Sequence, residues 1–127
     1  MKKILLIVIL LAVSLFANEW LDYDEALEKA QQEDKLMLVM LSQAGCPACK
    51  YMKDVVLPSK NVSKEIKKNF VFVELDINEE KIPKKLDYMG TPTFHFLDKN
   101  GKKLDVSYGS SNVEDFMITL EEVTIEE

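Results

Sequence analysis

The chain has 127 residues, room for one domain of ordinary size, and carries 22 acidic against 16 basic residues, a net charge of −6. All of the bases are lysine, so bidentate arginine recognition of phosphate is absent, and an acidic chain without a basic stripe is set aside as a nucleic-acid binder. With 47% apolar residues it can bury a core without staples. The first element reads as a targeting segment. Lys2 and Lys3 precede an apolar run from Ile4 to Phe16, broken only by Ser14, and Ala17 offers a small residue for cleavage before Asn18. A run of 13 residues falls short of the roughly 20 that a membrane span needs. The expected division is therefore a signal peptide over 1–17 and one domain over 18–127, with an uncleaved anchor as the alternative.

A helix follows over Tyr23–Glu33, with Asp22 as its N-cap and Glu25 completing a capping-box pattern. Leu36–Leu41 is apolar without alternation, as suits a central strand buried on both faces. Gly45 ends the run, and Pro47 fits the first position of a helix reaching Val56 and stopping near Pro58. Further elements are a helix over Val62–Lys68, a strand over Phe70–Asp76, a short helix over Glu79–Leu86 and a strand over Thr93–Leu97. Asn100-Gly101 predicts a two-residue hairpin turn into a strand over Lys103–Tyr108. Asn112 caps a last helix to about Glu121, with 121–127 expected to fray. The order α-β-α-α-β-α-β-β-α predicts an α/β sandwich of three layers, a mixed four-stranded sheet with helices on both faces.

The chemistry-bearing residues are Cys46 and Cys49, the only cysteines. A bridge across so short a loop constrains the unfolded chain little, so a structural staple explains the spacing poorly. Between a buried strand and a helix, Cys46 sits at the helix N-cap. There, free N–H groups and the positive end of the helix dipole favour thiolate over thiol. Cys49 lies one turn on, on the same face and more buried. Cys46 is then the nucleophile that opens a substrate disulfide, and Cys49 the thiol that resolves the mixed disulfide. Zinc would want four nitrogen or sulfur ligands, and the chain has two cysteines and one histidine. Copper(I) needs fewer ligands. A copper(I) metallochaperone built from Cys46, Cys49 and His95 is therefore the competing reading, beside the plainer one of His95 as a sheet residue.

These residues, with Gly90-Thr91-Pro92-Thr93-Phe94 placed 43 residues on from Cys49 to Pro92, resemble the thioredoxin family over about Trp20 to Val123. The likeness is to its exported members and to the soluble C-terminal domain of the membrane thiol transporter that delivers electrons to the bacterial periplasm. The resemblance implies a thioredoxin-like fold, thiol:disulfide oxidoreductase activity and a cis bond between Thr91 and Pro92. It also implies a substrate groove formed by Pro47, Ala48, Thr91 and Pro92 and bordered by Gly109. It implies no organic cofactor or resident metal, substrates that are protein or small-molecule disulfides, and a membrane thiol transporter as electron donor. The location it implies is the periplasm or another extracytoplasmic space, with membrane contact only through an uncleaved signal segment.

The sequence departs from the family at four places. Gly45 stands where the family commonly has tryptophan before the first cysteine, Met40 where it has a buried aspartate, Glu74 where that aspartate has a lysine partner, and Thr91 where isoleucine usually precedes the proline. The usual proton relay to the second cysteine is thus missing. Strand alternation puts Phe70, Phe72 and Glu74 on one face, and the resemblance points that face at Cys49. Glu74, expected in apolar surroundings, is the candidate proton acceptor, against the plain alternative of an exposed strand glutamate.

Overall fold

The structure, a computed structural model, describes residues 21–126. The signal segment read in 1–17 and Trp20 lie outside the described residues. Helix α1 spans Tyr23–Glu33, and the Asp22 carboxylate accepts the Glu25 N–H at 2.8 Å, as the capping pattern predicts. Asp34 closes α1 in the left-handed conformation (φ 54°), its N–H returning to the Ala30 carbonyl. The chain then enters β1, Leu36–Ser42, in which all seven residues are buried.

That burial on both faces follows from position. The sheet order is β2-β1-β3-β4, with β2 over Phe70–Asp76, β3 over Thr93–Leu97 and β4 over Lys103–Tyr108. Strand β1 pairs parallel with β2 and antiparallel with β3, and β3 pairs antiparallel with β4. The expected mixed four-stranded sheet with helices on both faces is therefore present. Leu36, Leu38 and Met40 of β1 face one layer, with Phe94 and Phe96 of β3 and the side chains of Met52, Val56, Val62, Phe116, Leu120 and Val123. Met37, Val39 and Leu41 face the other layer, with Leu97, Leu86 and the small Ala26 and Ala30 of α1. Helix α2 (Pro47–Tyr51), the π-helical turn Met52–Val56 that continues it, α3 (Lys60–Asn69) and α4 (Val113–Ile125) thus cover the first face.

The structure corrects four expectations. The helix after the cysteines does not stay α-helical to Val56: from Met52 it widens, and the Leu57 N–H reaches the Met52 carbonyl at 2.8 Å, an i to i+5 bond. Both Met52 and Val56 are buried. Glu79–Leu86 is not a helix but a chain of turns, with Glu80 N–H on the Asp76 carbonyl and Leu86 N–H on that of Pro83. Pro83 explains this, because it lacks an N–H and turns the preceding Ile82 away from helical geometry. The hairpin is longer than two residues. Gly101 N–H bonds the Asp98 carbonyl, Asp98 N–H bonds that of Lys102, and only Gly101 has positive φ (84°) among the loop residues. This is a type I turn followed by a left-handed glycine. Helix α4 runs past Glu121 to Ile125, because Val123 continues the buried row of Phe116 and Leu120.

Candidate active site

The site lies where β1 ends and α2 begins, against the loop that enters β3. Gly45, at φ 75°, makes the turn that a side-chain-bearing residue would resist. Cys46 is then the extended N-cap of α2, with Pro47 at the first turn. Its Sγ accepts the Cys49 N–H at 3.1 Å, so the sulfur occupies the place of a capping oxygen. Cys46 and Cys49 are joined as a disulfide with Cα atoms 5.3 Å apart. Cys46 is half-buried while Cys49 is 2% exposed and packs with Met40, Met52 and Phe94. Of the two sulfurs, the outer one belongs to the N-cap cysteine.

The second half of the site arrives from 45 residues away. The Thr91–Pro92 peptide is cis. Thr91 Oγ1 lies 3.4 Å and its carbonyl oxygen 3.6 Å from Cys46 Sγ. Pro92 is buried, and its carbonyl accepts the Gly109 N–H at 2.8 Å, which ties the turn after β4 to the loop. The structure thus brings together Cys46, Cys49, Pro47, Ala48, Thr91, Pro92 and Gly109. The Met52 sulfur accepts the Ser111 N–H at 3.5 Å, which ties the segment after Gly109 to the helical run that follows Cys49.

His95 takes the plain place of a buried sheet residue, and Glu74 lies on the expected face without the expected apolar surroundings. His95 lies on the opposite face of the sheet from the cysteines, because β3 turns Phe94 and Phe96 toward them. It is fully buried, and its Nε2 lies 2.8 Å from the Asp87 carbonyl oxygen. Burial holds its pKa below the ordinary histidine range. Cys46, Cys49 and His95 therefore do not converge, and no group of three or more metal-ligating His, Cys, Asp or Glu residues forms among the described residues. The copper reading that uses these three is set aside. Glu74 pairs with Met40 across β1 and β2 and does lie on the cysteine face of the sheet, but its surroundings are not apolar. Its carboxylate accepts the Ser42 hydroxyl at 2.7 Å and meets Lys53 Nζ at 3.0 Å. It borders a cleft of about 390 Å³ that also holds Asp76, Glu79 and Glu80.

Gln43 and Lys53 carry no signal in the sequence that marks them for the site. Gln43 Nε2 donates to Thr91 Oγ1 at 3.0 Å, and its Oε1 lies 3.4 Å from Asn78 Nδ2. Thr91 is 48 residues distant, so no local pattern reveals the contact. Lys53 reads as one more lysine on a helix.

Comparison with known proteins gives the same picture. A model of the thioredoxin-like domain matches residues 23–124. A thioredoxin from Thermus thermophilus superposes with a TM-score of 0.71 at 25% identity, covering 87% of this chain and 90% of its own. The oxidised C-terminal domain of Neisseria meningitidis DsbD superposes at 0.67 with 19% identity, over 83% of this chain and 98% of that one. The periplasmic thioredoxin SoxS of Paracoccus pantotrophus superposes at 0.55 with 20% identity, over 70% of this chain and 95% of that one.

Proposed function

Because the chain belongs to the thioredoxin-like family and is a thiol:disulfide oxidoreductase, we propose that it acts outside the cytoplasm as a reductase of protein or small-molecule disulfides. The observation that carries the exchange chemistry is the asymmetry of the pair. Cys46 is partly open and its sulfur accepts the Cys49 N–H, while Cys49 is sealed beneath it. In the dithiol form the Cys46 thiolate attacks one sulfur of a substrate disulfide, forming a mixed disulfide and releasing the other sulfur as a thiolate. Cys49 then gives up its proton and attacks Cys46 Sγ. The Cys46–Cys49 disulfide forms, the second substrate thiolate leaves, and two electrons have passed to the substrate. A donor dithiol, for which a membrane thiol transporter is the candidate, reverses these steps to restore the protein.

Pro47, Ala48, Thr91, Pro92 and Gly109 form the surface on which the substrate lies. The Thr91 carbonyl beside the sulfur is an acceptor for an extended substrate backbone. Glu74 is kept as proton acceptor for Cys49 on the strength of its face alone, since its carboxylate is already engaged by Ser42 and Lys53. The leader-like segment from Lys2 to Ala17 and the likeness to a periplasmic thioredoxin support the location. The test is the reduction potential of the pair against glutathione. A value near that of thioredoxin, about −270 mV, is expected, and one near about −120 mV would make the protein an oxidant instead. The Cys49→Ala variant, expressed with its leader, is expected to accumulate mixed disulfides with extracytoplasmic proteins and Cys46→Ala to trap few; trapping of cytoplasmic proteins alone would overturn the location.

A further inference from the structure

Thr91 Oγ1 has one proton to give and can accept from two donors. The Gln43 amide nitrogen at 3.0 Å can only donate, so it takes an acceptor position on that oxygen. The hydroxyl proton is thereby directed elsewhere, and Cys46 Sγ stands 3.4 Å away. The other end of the Gln43 amide faces the Asn78 side chain, an arrangement that keeps the nitrogen turned toward Thr91. The Cys46 sulfur is thus reached by the Cys49 N–H from its own helix and by the Thr91 hydroxyl from across the site. A thiolate gains more from such donors than a disulfide sulfur does, because hydrogen bonds to an ionised acceptor are about twice as strong.

We propose that Gln43 is a positioning residue for the thiol exchange: its amide orients the Thr91 hydroxyl so that the proton points at Cys46 Sγ and stabilises the attacking and leaving thiolate. The proposal rests on the reading of Cys46 as the nucleophile. Gln43 touches neither sulfur and acts only through Thr91. Its chemistry is one-directional. An amide nitrogen in this place sends the hydroxyl proton to sulfur, whereas a carboxylate of the same shape would draw that proton to itself.

The experiment titrates Cys46 in the reduced protein by its iodoacetamide alkylation rate against pH, in six forms: the unaltered chain, Gln43→Glu, Gln43→Met, Thr91→Val and each Gln43 change combined with Thr91→Val. Gln43→Glu is expected to move the Cys46 titration up by about one pH unit, which lowers alkylation near neutral pH about tenfold. Part of that shift is the added charge. The part transmitted by Thr91 appears as a smaller shift, by at least about threefold in rate, when the same change is made in the Thr91→Val background. Equal shifts in both backgrounds, or none in either, would overturn the relay. Gln43→Met, which lacks both donor and charge, should raise the titration less than Gln43→Glu and should do nothing in the Thr91→Val background. A failure of the reading itself looks different, since Cys49 in the unaltered chain would then alkylate as fast as Cys46.

Discussion

On the sulfur of Cys46, donors from two distant parts of the chain meet: the Cys49 N–H at 3.1 Å and the Thr91 hydroxyl at 3.4 Å. Cys49 has the opposite environment, enclosed by Met40, Met52 and Phe94. In the reduced protein Cys46 should therefore alkylate at least about tenfold faster than Cys49 near pH 7, as expected for a thiolate at a helix N-terminus against a thiol in apolar surroundings. Peptide mapping after a short iodoacetamide pulse reads this directly, and equal labelling would dissolve the division of labour. Glu74 offers a second test at this scale. Base catalysis by a positioned carboxylate is worth roughly 10²–10⁴-fold, so Glu74→Gln should slow resolution of a preformed Cys46 mixed disulfide at least about tenfold if Glu74 takes the proton. The same substitution removes a partly exposed ion pair with Lys53, a loss of only about 0–1 kcal/mol, so unfolding does not confuse the rate. An unchanged rate leaves water as the acceptor.

Among the elements, the active-site face is held by aromatic packing between α4 and β3. The Phe116 ring stands 5.0 Å from that of Phe94 and 6.4 Å from that of Phe96, both edge-on or tilted. Phe116→Ala should lower stability by about 3–5 kcal/mol in urea unfolding, since it opens a cavity behind the strand that carries the Thr91–Pro92 loop. A loss below about 1 kcal/mol would mean that the layer closes without it. The elements legible in the sequence are those whose signal is local. Strand β1 announces itself by an unbroken apolar run, and α1 by the Asp22–Glu25 pair. The turns over 79–86 imitate a helix in the sequence because charged residues outnumber Ile82-Pro83, the two that resist helical geometry. The opposite facing of His95 is implicit in its alternation with Phe94 and Phe96. It becomes decisive only with α2 seated on the phenylalanine side. What joins Gln43 to Thr91, or Lys53 and Ser42 to Glu74, spans 21 to 48 residues and depends on strand order and register, which no short pattern encodes.

For the molecule as a whole, the buried histidine couples folding to pH. A carbonyl oxygen can only accept, so His95 Nε2 carries the proton toward Asp87, and Nδ1 is buried with no partner among the described residues. The groups around it oppose each other: the hydrogen bond to the Asp87 carbonyl and the Asp87 carboxylate, itself held by the Tyr108 hydroxyl, favour the charged ring, and Lys103 disfavours it. Burial prevails and lowers its pKa, so the folded chain refuses a proton that the unfolded chain accepts below about pH 6.5. Stability from this group is full above that pH and falls as the pH drops toward the folded value, by at most about 1.4 kcal/mol per pH unit. Urea midpoints at pH 7.5, 6.5 and 5.5 should show the decline, and His95→Gln, which keeps a donor for the Asp87 carbonyl but does not titrate, should remove it; equal declines in both would assign the effect elsewhere. The hydrogen bond from Thr91 to the Cys46 sulfur has a thermodynamic corollary of the same kind. It exists only once β3 is docked beside β1, so whatever it adds to the thiolate is absent from an unfolded chain. By closure of the cycle, the gap in folding stability between the dithiol and disulfide forms equals the gap in reduction potential between the native and unfolded pair, about 30 mV for every 1.4 kcal/mol. Two unfolding curves, one for each oxidation state, therefore measure how far the fold itself has moved the potential of this pair, without any substrate being present.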